Sequence, residues 1–122
     1  MIDVNDIESV YPFIAEQRAT LALDGTRPTP LVRGLPTAHA TRLDVFVKQS
    51  LTTVGDRISD ITVRTYSQGR EFYVDTAMSG DLSTATASFV VTGILGETTD
   101  VLVTTAYDGQ QNAVVCWAVA RS

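Results

Sequence analysis

His39, in PTAHAT, is the only histidine of the chain, and Cys116, in AVVCWAVA, is the only cysteine. Acid–base and metal chemistry at neutral pH draws first on such side chains. A metal ion needs several His, Cys or carboxylate ligands at workable spacing. One histidine and one distant cysteine make no such cluster, so neither a metal nor another cofactor is expected. Serines and aspartates accompany His39, but no Gly-x-Ser-x-Gly elbow presents a nucleophile. We read His39 as an exposed or capping residue. Cys116 has apolar neighbours and no partner for a disulfide, so it reads as a buried, inert thiol.

The carboxylates are no better arranged. Glu71 and Asp75 fall on one face of a predicted strand, about 13 Å apart at a strand's rise, farther than a glycosidase dyad allows. Asp56 and Asp60 flank Arg57 where a predicted helix gives way to a strand, which is a capping position. No catalytic residue is assigned. One constellation remains: Tyr66, Tyr73, Asp75 and Tyr107 are the polar groups that would line an apolar pocket if the sheet curled into a cone. That is the alternative reading, a small cone-like α+β enzyme or small-ligand-binding domain, and it is an analogy of fold.

The elements that would position these residues follow from periodicity. Ile7, Val10, Tyr11, Ile14, Arg18 and Leu21 recur at steps of three and four, the stripe of an amphipathic helix. Asn5 and Glu8 form a capping box. Pro12 splits the segment into a short turn over 5–10 and a helix beyond it, with a hairpin at Asp24-Gly25 as the rival. Leu43, Phe46, Val47, Ser50, Leu51, Val54 and Ile58 predict a second helix, capped by Thr41 with Asp44 and ended at Gly55. From Asp60 the period becomes two. ITVRTY and EFYVDTAM flank the turn SQGR, and TASFVVTGIL, VLVTTAY and AVVCWAVA follow, with Asp108-Gly109 as a strong turn. AVVCWAVA over 113–120 also admits a helix, which its valines and tryptophan disfavour. The expected fold is α+β: one or two N-terminal helices packed on a C-terminal antiparallel meander sheet of about five strands, residues 1–122 forming one domain.

Between the two predicted helices lies DGTRPTPLVRGLPT, residues 24–37, with three of the four prolines of the chain. Proline sets its own φ and extends the residue before it, so the segment suits neither a helix nor a central strand. Its glycines are too far apart for a phosphate loop. A pre-extended segment loses little entropy on docking. Arg27, Pro28, Pro30, Arg33 and Pro36 are therefore the candidate partner-binding residues; a plain surface crossover is the simpler alternative.

The later strands carry large apolar groups on both faces. Phe89, Val91, Val103, Val115 and Trp117 are expected on one, with Val90, Leu102, Val114 and Cys116 on the other. Two modest helices cover one face, so the second must be closed by curvature, by the proline segment or by another chain. With net charge −5 and pI near 4.6 the balance has the wrong sign for nucleic acid. No basic N-terminal region precedes an apolar run, and no stretch reaches the ~20 apolar residues of a membrane span. These features predict a non-enzymatic subunit of a larger assembly, partnered by itself or by other assembly proteins. The expectation extends to a bacteriophage component such as a head–tail connector or neck protein, and to the cytoplasm or the virion as its location.

Overall fold

Period two governs the N-terminal half of the chain as well as the C-terminal half. The computed structural model describes residues 12–78, 82–93 and 95–122. They form eight strands: β1 (Phe13–Leu23), β2 (Thr29–Pro36), β3 (Arg42–Gln49), β4 (Ile58–Ser67), β5 (Phe72–Ala77), β6 (Thr86–Thr92), β7 (Thr98–Thr105) and β8 (Asn112–Arg121). The expected α+β fold is thereby corrected to an all-β one. Both N-terminal helices are replaced by strands, and 113–120 is strand. The predicted turn at 5–10 and the Asn5/Glu8 box lie outside the described residues.

The reason for the correction is visible in the residues. On β1, Ala15, Ala19 and Leu23 stand four apart, a step that keeps one face in a helix and in a strand alike. Their intervening partners settle the period: Glu16, Arg18 and Thr20 are exposed while Gln17 is half-buried. On β3 Leu43, Val45, Val47 and Gln49 are buried at every second position, with Phe46 and Lys48 exposed between them; Asp44 is buried too, on the other face, where Arg42 and Arg121 hold it. Val45 and Val47 favour the strand through their β-branches. The helical reading had skipped Val45, which is fully buried.

The strands form two antiparallel sheets, ordered β1-β8-β3-β6 and β2-β7-β4-β5. The chain passes from one sheet to the other at every connection except β4–β5, which is a hairpin within one sheet. This is the double-sheet jelly roll, not a meander. The core between the sheets comprises Val32, Leu35, Leu43, Val45, Ile58, Ile61, Val63, Val101, Val103 and Val114, each at most 1% exposed. Each such side chain contributes roughly 1.5–3 kcal/mol through burial.

β2 lies at the edge of its sheet, where proline is tolerated because no neighbour requires its missing N–H. Leu31, Val32 and Leu35 of this segment enter the core, and two register shifts interrupt its pairing with β7. Gln17 of β1 ties the adjacent edges together. Its amide oxygen accepts from the Arg33 N–H (2.5 Å) and its Nε2 donates to the Arg33 carbonyl (2.8 Å).

Each end of the sandwich holds a buried polar network. Asn112, wholly buried, donates to Gln49 Oε1 (3.0 Å) and accepts from the N–H groups of Ser50 and Leu51 (3.0 Å each). At the other end the Thr37 and Thr99 hydroxyls are 2.8 Å apart, and Thr99 donates to Thr65 (3.2 Å).

Candidate functional site

Since the inner faces form the core, chemistry and recognition fall to the two outer faces. On the β1-β8-β3-β6 sheet, pairing sets Arg18 beside Trp117, Trp117 beside Phe46, and Phe46 beside Ser88. The row below reads Thr20, Val115, Lys48, Thr86, and the row above Glu16, Val119, Asp44, Val90. Phe46 and Trp117 are 40% and 38% exposed, with ring centroids 5.1 Å apart and planes tilted by 30°. Such a pair contributes about 0.5–1.5 kcal/mol beyond its burial. Trp117 Nε1 donates to Glu16 Oε2 (2.8 Å), which fixes the indole without covering it. Arg18, Lys48 and Val115 rim the resulting hollow of about 500 Å³. Above it Asp44 is held by Arg42 (2.8 Å) and Arg121 (3.4 Å).

The outer face of the β2-β7-β4-β5 sheet is polar. The turn between β4 and β5 spans four residues, 68–71, with Gln68, Gly69 and Arg70 all at positive φ. Arg64 therefore faces Asp75 and Tyr66 faces Tyr73; a two-residue turn at Gln68-Gly69 would have set Arg64 against Tyr73. Arg64 donates twice to Asp75 (2.6 and 2.9 Å) and lies 4.4 Å from the Tyr73 ring centroid. The bond from Arg64 holds the Asp75 carboxyl below its usual range, and the Arg64 guanidinium is raised in turn. Arg70 stacks on Tyr66 at 3.8 Å and donates to Asp100 (3.0 Å). Asp100 also accepts from the Gly34 N–H (2.7 Å). Burial pushes the Asp100 carboxyl up, but the bonds from Arg70 and Gly34 outweigh it, and its pKa is lowered.

The four candidate pocket residues do not enclose an interior pocket. Tyr66, Tyr73 and Asp75 share this outer face, and Tyr107 is in the β7–β8 loop. The cone-like reading falls with the α+β fold. Of the proline-segment candidates, Pro30 and Arg33 line a hollow with Arg64, Tyr66, Arg70 and Asp100. Arg27, Pro28 and Pro36 are exposed but do not line it, and Pro30 is half-buried. The assignment of strand faces is corrected in part. Phe89, Val91 and Val103 point inward together with Val114 and Cys116, whereas Val90, Leu102, Val115 and Trp117 point outward. Phe46, Arg18 and Lys48 were missed because two helices had been expected where β1 and β3 stand. Cys116 is fully buried, and burial pushes its thiol up to about 12. His39 is exposed in the β2–β3 connection.

Among the described residues, no group of His, Cys, Asp and Glu is placed to hold a metal ion, and no helix is long and apolar enough to cross a membrane. No protein-family model and no curated protein sequence matches the chain. Solved structures similar to it include the following two. One is the PRD1 vertex protein P5, 9% identical, covering 90% of this chain and 99% of that one, at a TM-score of 0.49. The other comes from Bacillus endospore appendages, described as disulfide-linked pili, 11% identical, covering 92% and 89%, at a TM-score of 0.43. Both are likenesses in the course of the backbone, and no residue role is taken from them.

Proposed function

We propose that this chain is a non-enzymatic structural subunit of a larger protein assembly, joined to its neighbours through the outer face of the β1-β8-β3-β6 sheet. One observation carries the reading: Phe46 and Trp117, side by side on that single face, are each more than a third exposed, and no other described part of the chain covers them. Aromatic side chains fixed in place beside an apolar hollow are what the centre of a protein interface requires. Glu16, Arg18 and Lys48 around them supply a charged rim. The two likenesses above carry none of this.

A virion component is the form of assembly we favour, since double-sheet jelly rolls build viral capsid domains; they also build lectins and cupins, so the architecture gives no residue a role. A head–tail connector or neck position is the finest form of the reading, and its expected sign is a ring with a central channel in electron micrographs. The virion, or the cytoplasm before assembly, is then its location. Arg27, Pro28, Pro30, Arg33 and Pro36 on the β2 edge are a second proposed contact. The acidic balance argues against nucleic acid as a direct partner.

The test is molar mass by light scattering across a concentration series, with Phe46→Ser/Trp117→Ser beside the wild type. The expected result is a wild-type mass above the monomer that falls in the variant while its far-UV circular dichroism is unchanged. A variant that associates as the wild type does would remove this face from the contact.

A further inference from the structure

The four sheet edges of the sandwich are treated unequally. An edge strand offers unpaired N–H and C=O groups to any passing strand, and stable monomers blunt such edges with proline, bulges or charge. β2 has Pro30 and Pro36 and two register shifts. β1 has a register shift at its start, and Gln17 links it to β2. β5 carries Asp75, clamped by Arg64. β6 has none of these devices. Its residues Thr86–Thr92 hold no proline and no charge, and its register with β3 is unbroken. Among the described residues it pairs with β3 alone. Residues 82–96 around it are the longest uncharged run of the chain.

We propose that β6 is the strand through which two copies of this chain join, which deepens the assembly reading and rests on it. The two β6 strands pair antiparallel about a two-fold axis at Phe89, fusing two four-stranded sheets into one of eight. The charge distribution selects the occupant. Each copy carries a net charge of −5, so two copies meet at least cost along an edge with no charge on it. A basic partner finds no carboxylate on β6 and an acidic one finds no cation. Centred on Phe89, Ser88 faces Val90 of the second copy, Ala87 faces its Val91, and Thr86 faces its Thr92. Every facing pair is neutral, and the outermost is a threonine pair of the kind that stabilises neighbouring strands. The contact is isologous, so it closes as a dimer and leaves the Phe46–Trp117 face available for further contacts.

Two double variants test the register, both at exposed outer-face positions. Ser88→Lys/Val90→Lys sets lysine against lysine twice across the axis, whereas Ser88→Lys/Val90→Glu sets lysine against glutamate twice. The expected result, by sedimentation velocity over a concentration series, is a dimer in the wild type and in the Lys/Glu variant. The Lys/Lys variant dissociates at concentrations at least tenfold higher than the Lys/Glu variant, and both keep the wild-type circular dichroism and cooperative unfolding. Added salt should narrow that gap. Equal association in both variants, or equal loss in both, overturns β6 pairing in this register. If the wild type forms a larger species that neither variant disturbs but Phe46→Ser/Trp117→Ser does, β6 is not the joint while the assembly reading stands. A wild type that stays monomeric at millimolar concentration overturns the joint.

Discussion

Arg64 and Asp75 face each other across β4 and β5, joined by two nearly parallel hydrogen bonds of 2.6 and 2.9 Å. The fork geometry matches guanidinium to carboxylate, and Tyr73 supports the cation from the side. The pair is also well exposed, so screening limits its contribution. Asp75→Asn should lower stability by about 1 kcal/mol or less, read as a small shift of the urea midpoint with unchanged slope. The sign with pH follows from the lowered Asp75 pKa. The contribution is full above the ordinary carboxylate range and is lost as pH falls through the lowered folded-state value. The two proteins should therefore converge in acid; a gap that widens there would contradict the assignment.

Asn112 should be far less forgiving. Its amide satisfies groups on Gln49, Ser50 and Leu51 from a wholly buried position. Asn112→Leu strips the Leu51 N–H of its side-chain acceptor and takes one of two partners from Gln49 Oε1 and from the Ser50 N–H, and should destabilise the fold by about 2–4 kcal/mol. Denaturant unfolding measures this directly, and a loss under 1 kcal/mol would mean that water replaces the amide.

Deleting residues 26–36 removes β2, and with it Leu31, Val32 and Leu35 from the core. The expected outcome is loss of cooperative thermal unfolding, not a folded protein lacking one partner. Leu35→Ala alone should cost about 2–5 kcal/mol. A deletion variant that unfolds like the wild type would show that the segment is dispensable to the core.

Cys116 reports on opening of the sandwich. Its thiol is fully buried and pushed up to about 12, so at pH 8 roughly one molecule in ten thousand carries the reactive thiolate. Iodoacetamide should leave the native protein unlabelled over hours and label it fully in denaturant. Labelling within minutes under native conditions would mean that β8 detaches locally.

The C-terminal half was legible because its strands carry Val, Phe, Tyr and Trp between Gly-marked turns. The β4–β5 hairpin and the Asp108-Gly109 turn were readable for that reason. The N-terminal half was not, because Ile14, Arg18 and Leu21 fall at helical steps although Arg18 and Leu21 are exposed on β1, and the exposed Phe46 joined Val47 in a false helical stripe. The proline segment was legible as something other than a helix or a central strand; that it lies on an edge with its leucines inside depends on a partner, β7, more than sixty residues away. The outer-face site depends on register across four strands. A shift of one residue moves Trp117 from solvent to core, and no local pattern resolves that.

The pairing of β1 with β8 has a consequence for how the molecule comes into being. Trp117 and Glu16 touch across 101 residues of chain, and β8 is also the bridge between β1 and β3. Until the ribosome has released β8, β1 has no neighbour in its sheet and its Ala15–Leu23 face is left to water. The first sheet is therefore completed by its last-made strand. Loops this long must close before their contacts reward them, which places folding toward the slow end for a domain of this size. Through that interval the uncharged β6 is already synthesised, so a concentrated pool of nascent chains and the finished protein present one another with the same open edge.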